Sequence, residues 1–183
     1  MENNKSLLLT DTEGRGNIEA MMDYIIAWTF KMCDINNHGN EVNEKLLSEC
    51  RKILSKLIGF DVTTESFSIC TYLEWRKIDL VVEIYFNNRR QHVFLIENKV
   101  NSKLQDWQLS NNKKIFKNHY DNDDLKWEEH FFLICAHKGA VHMREQCRKE
   151  GYQLFALEEL TDYQAEDVGN NIFDEFWRRD WGE

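Results

Sequence analysis

Proline is absent from the 183-residue sequence, so helix ends and turns must depend on the eight glycines and on clusters of Asn and Asp. Long apolar runs are also missing, since none approaches the roughly 18 residues that a membrane-spanning helix requires. The first residues lack the apolar core of a secretion signal. The sequence therefore predicts a cytoplasmic protein without a membrane segment.

Basic charge is in short supply as well. The chain has 23 Lys and Arg against 32 Asp and Glu, which gives a formal net charge of −9. This balance argues against a protein that coats nucleic acid or an anionic membrane through its overall charge. The five cysteines are widely spaced and form no C-x-x-C pair, a pattern that indicates reduced thiols rather than disulfides.

What is present is the composition of an ordinary globular protein. Hydrophobic residues make up 42% of the chain, aromatic residues 13% and charged residues 30%, which excludes extensive disorder. A chain of this length suggests one domain, and no repeat or Gly- or Ser-rich linker marks a boundary inside it. We therefore predict a single domain over residues 1–183.

Apolar residues at helical spacing predict two N-terminal helices, at about 17–33 and 41–58. Asn17 is a suitable N-cap for the first helix, and Gly59 stands where a C-terminal glycine would end the second. We expect this pair of helices to cover one face of a sheet.

After Gly59 the apolar period changes, and β-branched and aromatic residues become frequent. The remaining predicted elements are strands at 60–70, 77–86 and 91–100, a helix at 103–119, a strand at 130–137, a helix at 141–150, a strand at 151–157 and an acidic helical region at about 158–183. The first three strands should form an antiparallel meander, because only a short turn joins the second to the third. The order predicts an α/β fold with a mixed central sheet flanked by helices.

Charged residues interrupt two of the apolar strands. In the third strand, four apolar residues lead into Glu97 and Lys99, which share a face because side chains alternate along a strand. In the second strand, Asp79 lies among apolar neighbours, where a charge costs free energy unless it is paired or binds a metal. If the turn pairs these strands, Asp79 comes to the level of Glu97. Two carboxylates and a lysine would then converge.

Such a cluster suits phosphodiester hydrolysis. Carboxylate oxygens can hold Mg²⁺, which polarises a phosphoryl oxygen, while a lysine orients the attacking water and offsets negative charge. The competing interpretation is structural: Glu97 and Lys99 form a salt bridge on a half-exposed strand, and Asp79 caps a turn.

The stretches I-D-L-V-V-E and V-F-L-I-E-N-K-V resemble the core of the PD-(D/E)XK nuclease superfamily. The order of elements is similar too, with the catalytic core at about 41–157. The resemblance implies a restriction-endonuclease-like fold in which Asp79, Glu97 and the backbone carbonyl of Asn98 bind Mg²⁺, with Mn²⁺ able to substitute, and Lys99 assists the water. Ile78 departs from the pattern, because it replaces the proline of the family's name.

Two further residues are candidates for this site. Gln108 occupies the place of a glutamine motif in the RecB-like branch, although Asn112 stands where that branch has tyrosine. Both amides fall within the apolar arc of their helix, where they either satisfy each other or serve the site. Many family members add an acidic residue from the helix before the meander, and Glu44 is better placed than Glu41, although it could instead complement the helix dipole.

The sequence thus predicts a metal-dependent nuclease that acts on nucleic acid, with DNA favoured over RNA on the family's record. The alternatives are a catalytically inactive module of the same fold that binds nucleic acid or a protein, and an unrelated α/β binding protein. Charge is unevenly distributed: residues 76–117 carry nine basic and four acidic side chains, whereas residues 158–183 carry two and nine. The acidity lies away from the predicted site, and a homodimer or a partner protein could help to hold the substrate.

Overall fold

A computed structural model describes residues 18–87, 89–100, 103–136, 141–162, 164–179 and 181. The elements follow one another as α1 (Ile18–Lys31), a 3₁₀ helix (Ile35–His38), α2 (Glu44–Ile58), β1 (Phe67–Trp75), β2 (Ile78–Phe86), β3 (Gln91–Lys99), α3 (Gln108–Tyr120), β4 (Trp127–Cys135), α4 (Val141–Glu150), β5 (Gln153–Ala156), α5 (Leu157–Leu160) and α6 (Asn171–Trp177). Asn17, the predicted N-cap of the first helix, lies outside the described residues. Within the described ranges, no helix is both long enough and apolar enough to cross a membrane.

The strands form one five-stranded sheet in the order β1-β2-β3-β4-β5. The pairs β1–β2 and β2–β3 are antiparallel, whereas β3–β4 and β4–β5 are parallel. Parallel neighbours need crossover connections, and α3 and α4 lie in those two connections. The predicted α/β class, with a mixed sheet that contains an antiparallel meander, is confirmed.

The first strand begins later than the sequence predicts. It was expected at 60–70 but spans Phe67–Trp75. Asp61 explains the difference, because its side chain accepts hydrogen bonds from the backbone N–H of Thr63 at 2.9 Å and from the Thr63 hydroxyl at 2.7 Å. Such local side-chain bonds favour a turn over an extended strand.

The ends of α2 agree with the capping residues in the sequence. The Asn43 side chain accepts a hydrogen bond from the Leu46 N–H at 3.0 Å, which satisfies one of the free donors of the first turn. At the other end Gly59 adopts φ +87°, a left-handed conformation that favours glycine, and its N–H donates to the Ser55 carbonyl at 3.0 Å.

Apolar layers cover both faces of the sheet, and β3 contributes to each. Its Phe94 and Ile96 belong to the core under α1, α2 and α6. Its Val93 and Leu95 belong to the core under α3 and α4. A charged group at the end of such a strand is removed from water on both sides, so it needs partners within the protein.

The hairpin between β1 and β2 is tight and unusual. Glu74, Arg76 and Lys77 all have positive φ, at 51°, 52° and 72°, although none is a glycine. The Lys77 N–H donates to the Glu74 carbonyl at 3.3 Å and closes the turn. The exposed Arg76 and Lys77 therefore stand directly before β2 and its Asp79.

The C-terminal helix α6 packs on α1. The indole N–H of Trp177 donates to the Thr29 hydroxyl at 2.9 Å, across 148 residues of sequence. Next to it, Arg178 forms an ion pair with Glu49 of α2 at 2.8 Å. The acidic C-terminal region is therefore part of the layer that holds α1 against the sheet.

Candidate active site

The antiparallel register of β2 and β3 brings the predicted carboxylates together. Leu80 pairs with Ile96, so Asp79 and Glu97 are the next opposed positions. The Asp79 carboxylate accepts a hydrogen bond from the backbone N–H of Asn98 at 2.9 Å. The predicted convergence of Asp79, Glu97 and Lys99 is therefore present, at the end of β3 beside the β1–β2 hairpin.

Glu97 is wholly buried, with 0% of its surface exposed. Its Oε1 accepts hydrogen bonds from the Lys99 ammonium at 2.7 Å and from the Gln108 amide. Its Oε2 accepts a hydrogen bond from the Asn112 amide at 2.9 Å. The two amides of α3 thus both serve Glu97, rather than satisfying each other as the structural alternative for this helix required.

The surroundings of Glu97 disfavour the ionised form of its side chain. Burial, and after it the neighbouring Asp79 carboxylate, raises the pKa of Glu97 to about 8, while Lys99 opposes the change. Burial alone would lower the pKa of Lys99, but attraction to Glu97 and Asp79 outweighs it and raises that pKa. Because two carboxylates share one ammonium, ionisation of both leaves an excess of negative charge, which a divalent cation could neutralise.

Helix α1 adds two acidic residues that the sequence reasoning missed. The Asn98 side-chain amide donates to Asp23, and the Val100 N–H donates to Glu19 at 3.0 Å. Burial raises the pKa of Asp23 to about 7, with a further contribution from Asp79. The available signal was the i,i+4 spacing of Glu19 and Asp23 on an amphipathic helix, which places both on one side.

Glu44 is not brought to this cluster. It is exposed in the first turn of α2 and borders a surface groove together with Ser48, Val168 and Arg178. The physical reason is that α1 packs more closely than α2 against β1, β2 and β3. The acidic contribution expected from Glu44 of α2 is therefore replaced by Glu19 and Asp23 of α1.

The donor set of the cluster fits a hard divalent cation. Mg²⁺ prefers carboxylate and carbonyl oxygens; Asp79 lies opposite Glu97 in the strand register, and Asn98 bonds to Asp79 through its backbone N–H and to Asp23 through its side-chain amide. The Asn98 side-chain oxygen is buried and accepts no hydrogen bond from the residues that the structure describes. A buried oxygen without a donor is costly, and a cation or its bound water would satisfy it.

A sequence model of the PD-(D/E)XK nuclease superfamily matches residues 7–166 of the chain. The match covers most of the sequence, so the protein belongs to this superfamily. The five-stranded mixed sheet and its flanking helices are consistent with the restriction-endonuclease-like fold of the family. No curated protein and no solved structure matches the chain.

Membership supports a general activity. Nucleases of this superfamily use divalent metal ions and act on nucleic acids, so the protein is a metal-dependent nuclease at the level of its family. The metal, the substrate and the residues that act are properties of the individual protein.

Proposed function

We propose that the protein is a Mg²⁺-dependent nuclease that hydrolyses phosphodiester bonds in DNA at the cluster of Asp79, Glu97 and Lys99. The observation that carries this proposal is the meeting of a half-buried aspartate and a fully buried glutamate with one lysine, 2.7 Å from Glu97. Structural ion pairs do not need a second carboxylate, whereas a cation site does.

The roles follow from the positions of the side chains. Asp79, Glu97 and the backbone carbonyl of Asn98 would hold the ion, and Asp23 and Glu19 of α1 contribute further negative charge next to Asn98 and Val100. When bound, the ion polarises a phosphoryl oxygen and lowers the pKa of a coordinated water. Lys99 assists that water and offsets charge on the phosphate. Gln108 positions the water or a phosphate oxygen through its contact with Glu97.

The surface around the cluster also suits nucleic acid. Several basic residues of the 76–117 segment are used internally, as with Lys113, which donates to the Glu150 carbonyl, and Lys117, which pairs with Glu129. Arg76 and Lys77 remain exposed beside Asp79. Local positive charge of this kind can hold a phosphate backbone although the whole chain is acidic.

Two large exposed aromatic residues are sequence neighbours of residues in the cluster. Tyr24, 65% exposed, follows Asp23 on α1, and Trp107, 63% exposed, precedes Gln108. Exposed aromatic rings next to a phosphodiester site can stack on bases. We infer that they contact substrate nucleotides on either side of the bond that is cut.

The direct experiment is incubation of the purified protein with linear duplex, circular and single-stranded DNA and with RNA, in Mg²⁺, Mn²⁺ or EDTA. We expect DNA cleavage with either metal and none in EDTA. The variants Asp79→Asn, Glu97→Gln and Lys99→Met should each lower the rate on the order of 10²–10³-fold, as expected when one group that stabilises transition-state charge is lost.

Matched controls keep this result interpretable. Glu145→Gln removes an exposed carboxylate on α4 that pairs with Arg148, and it should cleave like the wild type. Circular dichroism and thermal melting of every variant separate loss of activity from loss of fold. Full activity in any one of the three cluster variants contradicts the assignment, and faster cleavage of RNA than of DNA contradicts the substrate.

A second candidate is a catalytically inactive module of the same fold. Its support is that both Glu97 oxygens already accept hydrogen bonds, from Lys99, Gln108 and Asn112, so the network is satisfied without an ion. Mg²⁺ titration of the wild type and of Glu97→Gln distinguishes the two candidates. An inactive module would bind DNA without cleaving it, and it would show no Mg²⁺ binding that depends on Glu97.

A further inference from the structure

A second cluster of metal-ligating side chains lies at the opposite end of β3. The parallel register of β3 and β4 pairs His92 with Glu128 and Phe94 with His130. Glu128 and His130 are two residues apart in β4 and so share a face. His92 is five residues before Glu97, or about 17 Å along the strand, so this cluster is separate from the carboxylates at the other end.

The ligand atoms of this cluster are close together. One atom each from His92, Glu128 and His130 lies within 4.8 Å of the other two. His92 Nδ1 is 2.9 Å from His130 Nε2, and His92 Nε2 is 4.0 Å from a Glu128 oxygen. One of the two imidazole nitrogens carries the proton of this contact, and a tautomer change that moves it to the other nitrogen of the same ring leaves two lone pairs that face each other.

The surroundings keep both imidazoles neutral and fix their positions. His92 is 4% exposed and packs against the rings of Phe60 and Phe86, at 5.6 and 5.5 Å between centroids. Burial lowers the pKa of His92 to about 4 and lowers that of His130, which borders Phe94. Metal ions bind the neutral form of histidine, so these rings need no deprotonation at neutral pH.

The charges around the cluster permit a cation. The Arg89 guanidinium lies against Phe60 and pairs with Glu65, which offsets its positive charge. Arg90 donates to the Lys126 and Trp127 carbonyls. The Glu128 side chain is 49% exposed, so it gives an ion access from solvent and supplies the negative charge that the imidazoles lack.

We propose that His92, Glu128 and His130 form a binding site for a transition-metal ion, with Zn²⁺ as the best match. Two imidazole nitrogens and one carboxylate oxygen are a typical Zn²⁺ ligand set, which leaves a fourth position for water. Mg²⁺ favours oxygen ligands alone and should prefer the Asp79–Glu97 end of the strand. On binding, the His92–His130 hydrogen bond is replaced by two nitrogen–metal bonds, and the proton of the donor ring moves through solvent to the other nitrogen of that ring, so both imidazoles stay neutral.

The test measures Zn²⁺ and Mg²⁺ binding to the EDTA-treated full-length protein by calorimetry, with the melting temperature as a second readout. We expect one Zn²⁺ per chain and a higher melting temperature in Zn²⁺ than in equal Mg²⁺. Glu128→Gln and His130→Gln should each weaken Zn²⁺ binding at least about tenfold, since even second-shell changes at metal sites cost that much. His119→Gln, which changes an exposed histidine on α3, is the matched control.

The outcomes are separable from those of the nuclease assignment. Glu97→Gln should lose Mg²⁺-dependent cleavage and keep its Zn²⁺ affinity. Zn²⁺ binding that Glu97→Gln abolishes, or that Glu128→Gln leaves unchanged, would overturn the proposal, as would the absence of stoichiometric Zn²⁺. If His130→Gln fails to fold, Glu128→Gln remains decisive, because its half-exposed side chain can be replaced without opening the core.

Discussion

Glu83 and Glu97 are buried glutamates in neighbouring strands, and side chains of α3 contact both, yet their surroundings differ in kind. Glu83 accepts hydrogen bonds from the hydroxyls of Tyr72, Tyr85 and Tyr120, at 2.9, 2.7 and 2.8 Å. Glu97 is bonded by two amides and one lysine, and the Asp79 carboxylate lies beside it.

The contrast separates a carboxylate with a structural role from one with a proposed functional role. Neutral hydroxyl donors stabilise a buried carboxylate without adding charge, and here the effect is visible on the donors, since burial and Glu83 raise the pKa of Tyr72 to about 12. At Glu97 the second carboxylate works against ionisation. Burial is common to both residues, so accumulated like charge, rather than burial, marks the candidate site.

The largest effect that tests this contrast is on stability. Glu83→Ala removes the acceptor of three tyrosine hydroxyls and should lower the free energy of unfolding by about 2–4 kcal/mol. Glu97→Gln at pH 7 should cost less than half as much, because the raised pKa of Glu97 already favours its neutral form. Urea unfolding of the two metal-free variants measures the difference, and equal losses would remove the distinction.

The next largest effect is on the cleavage rate, and it tests which other carboxylates contribute to the site of Glu97. Asp23→Asn should lower the cleavage rate about tenfold, equal to about 1.4 kcal/mol, because a charge close to the proposed ion is lost. Glu44→Gln, an exposed residue of α2, should leave the rate unchanged. Steady-state rates at saturating Mg²⁺ decide the matter, and the reverse order would restore Glu44 to the site.

The pH dependence of stability should include a contribution from Glu97. The pKa of Glu97 in the folded protein, about 8, lies above its ordinary value of 4.5, so the folded state holds this proton more tightly. The contribution of Glu97 to stability is therefore present below about pH 4.5 and is lost as pH rises through 8. Metal-free Glu97→Gln should lack this decline, and Glu83→Gln should retain it in unfolding curves across that range.

The smallest expected effect is on the affinity for DNA and its dependence on salt. Replacement of Arg76 and Lys77 by alanine should weaken DNA binding. It should also reduce the slope of log affinity against log salt concentration by about one to two, because up to two phosphate contacts are lost. Lys126→Ala, at the opposite end of the strands, should leave the slope unchanged. DNA binding is titrated at several salt concentrations with proteins that also carry Glu97→Gln, so that the DNA is not cleaved. Identical salt slopes with and without the Arg76 and Lys77 changes would exclude the hairpin from the DNA-binding surface.

The central part of the site could be predicted because it depends on short-range geometry. Side-chain alternation and one short turn set Asp79 opposite Glu97, and helical spacing set Gln108 and Asn112 toward the sheet. Asn88 of that turn lies outside the described residues. The family motif then added the chemical roles, which stay a prediction until the variants are assayed, as do the cytoplasmic location and the single-domain organisation.

What could not be predicted depends on contacts between distant segments. The choice of α1 over α2 as the source of acidic residues depends on packing of α1 against the sheet and against Trp177, which no local pattern records. The meeting of His92 and His130 depends on parallel pairing of strands separated by a whole helix. The late start of β1 depends on one aspartate whose side chain competes with the strand.

The packing of α6 on α1 has a consequence for synthesis on the ribosome. Thr29 and its neighbours emerge early, but their partner Trp177 is translated 148 residues later. Until then α1 lacks part of its cover, and closing so long a loop is entropically costly and slow. Because α1 carries Asp23 and Glu19, their position beside Asn98 and Val100 gains the support of Trp177 only after that residue has been made.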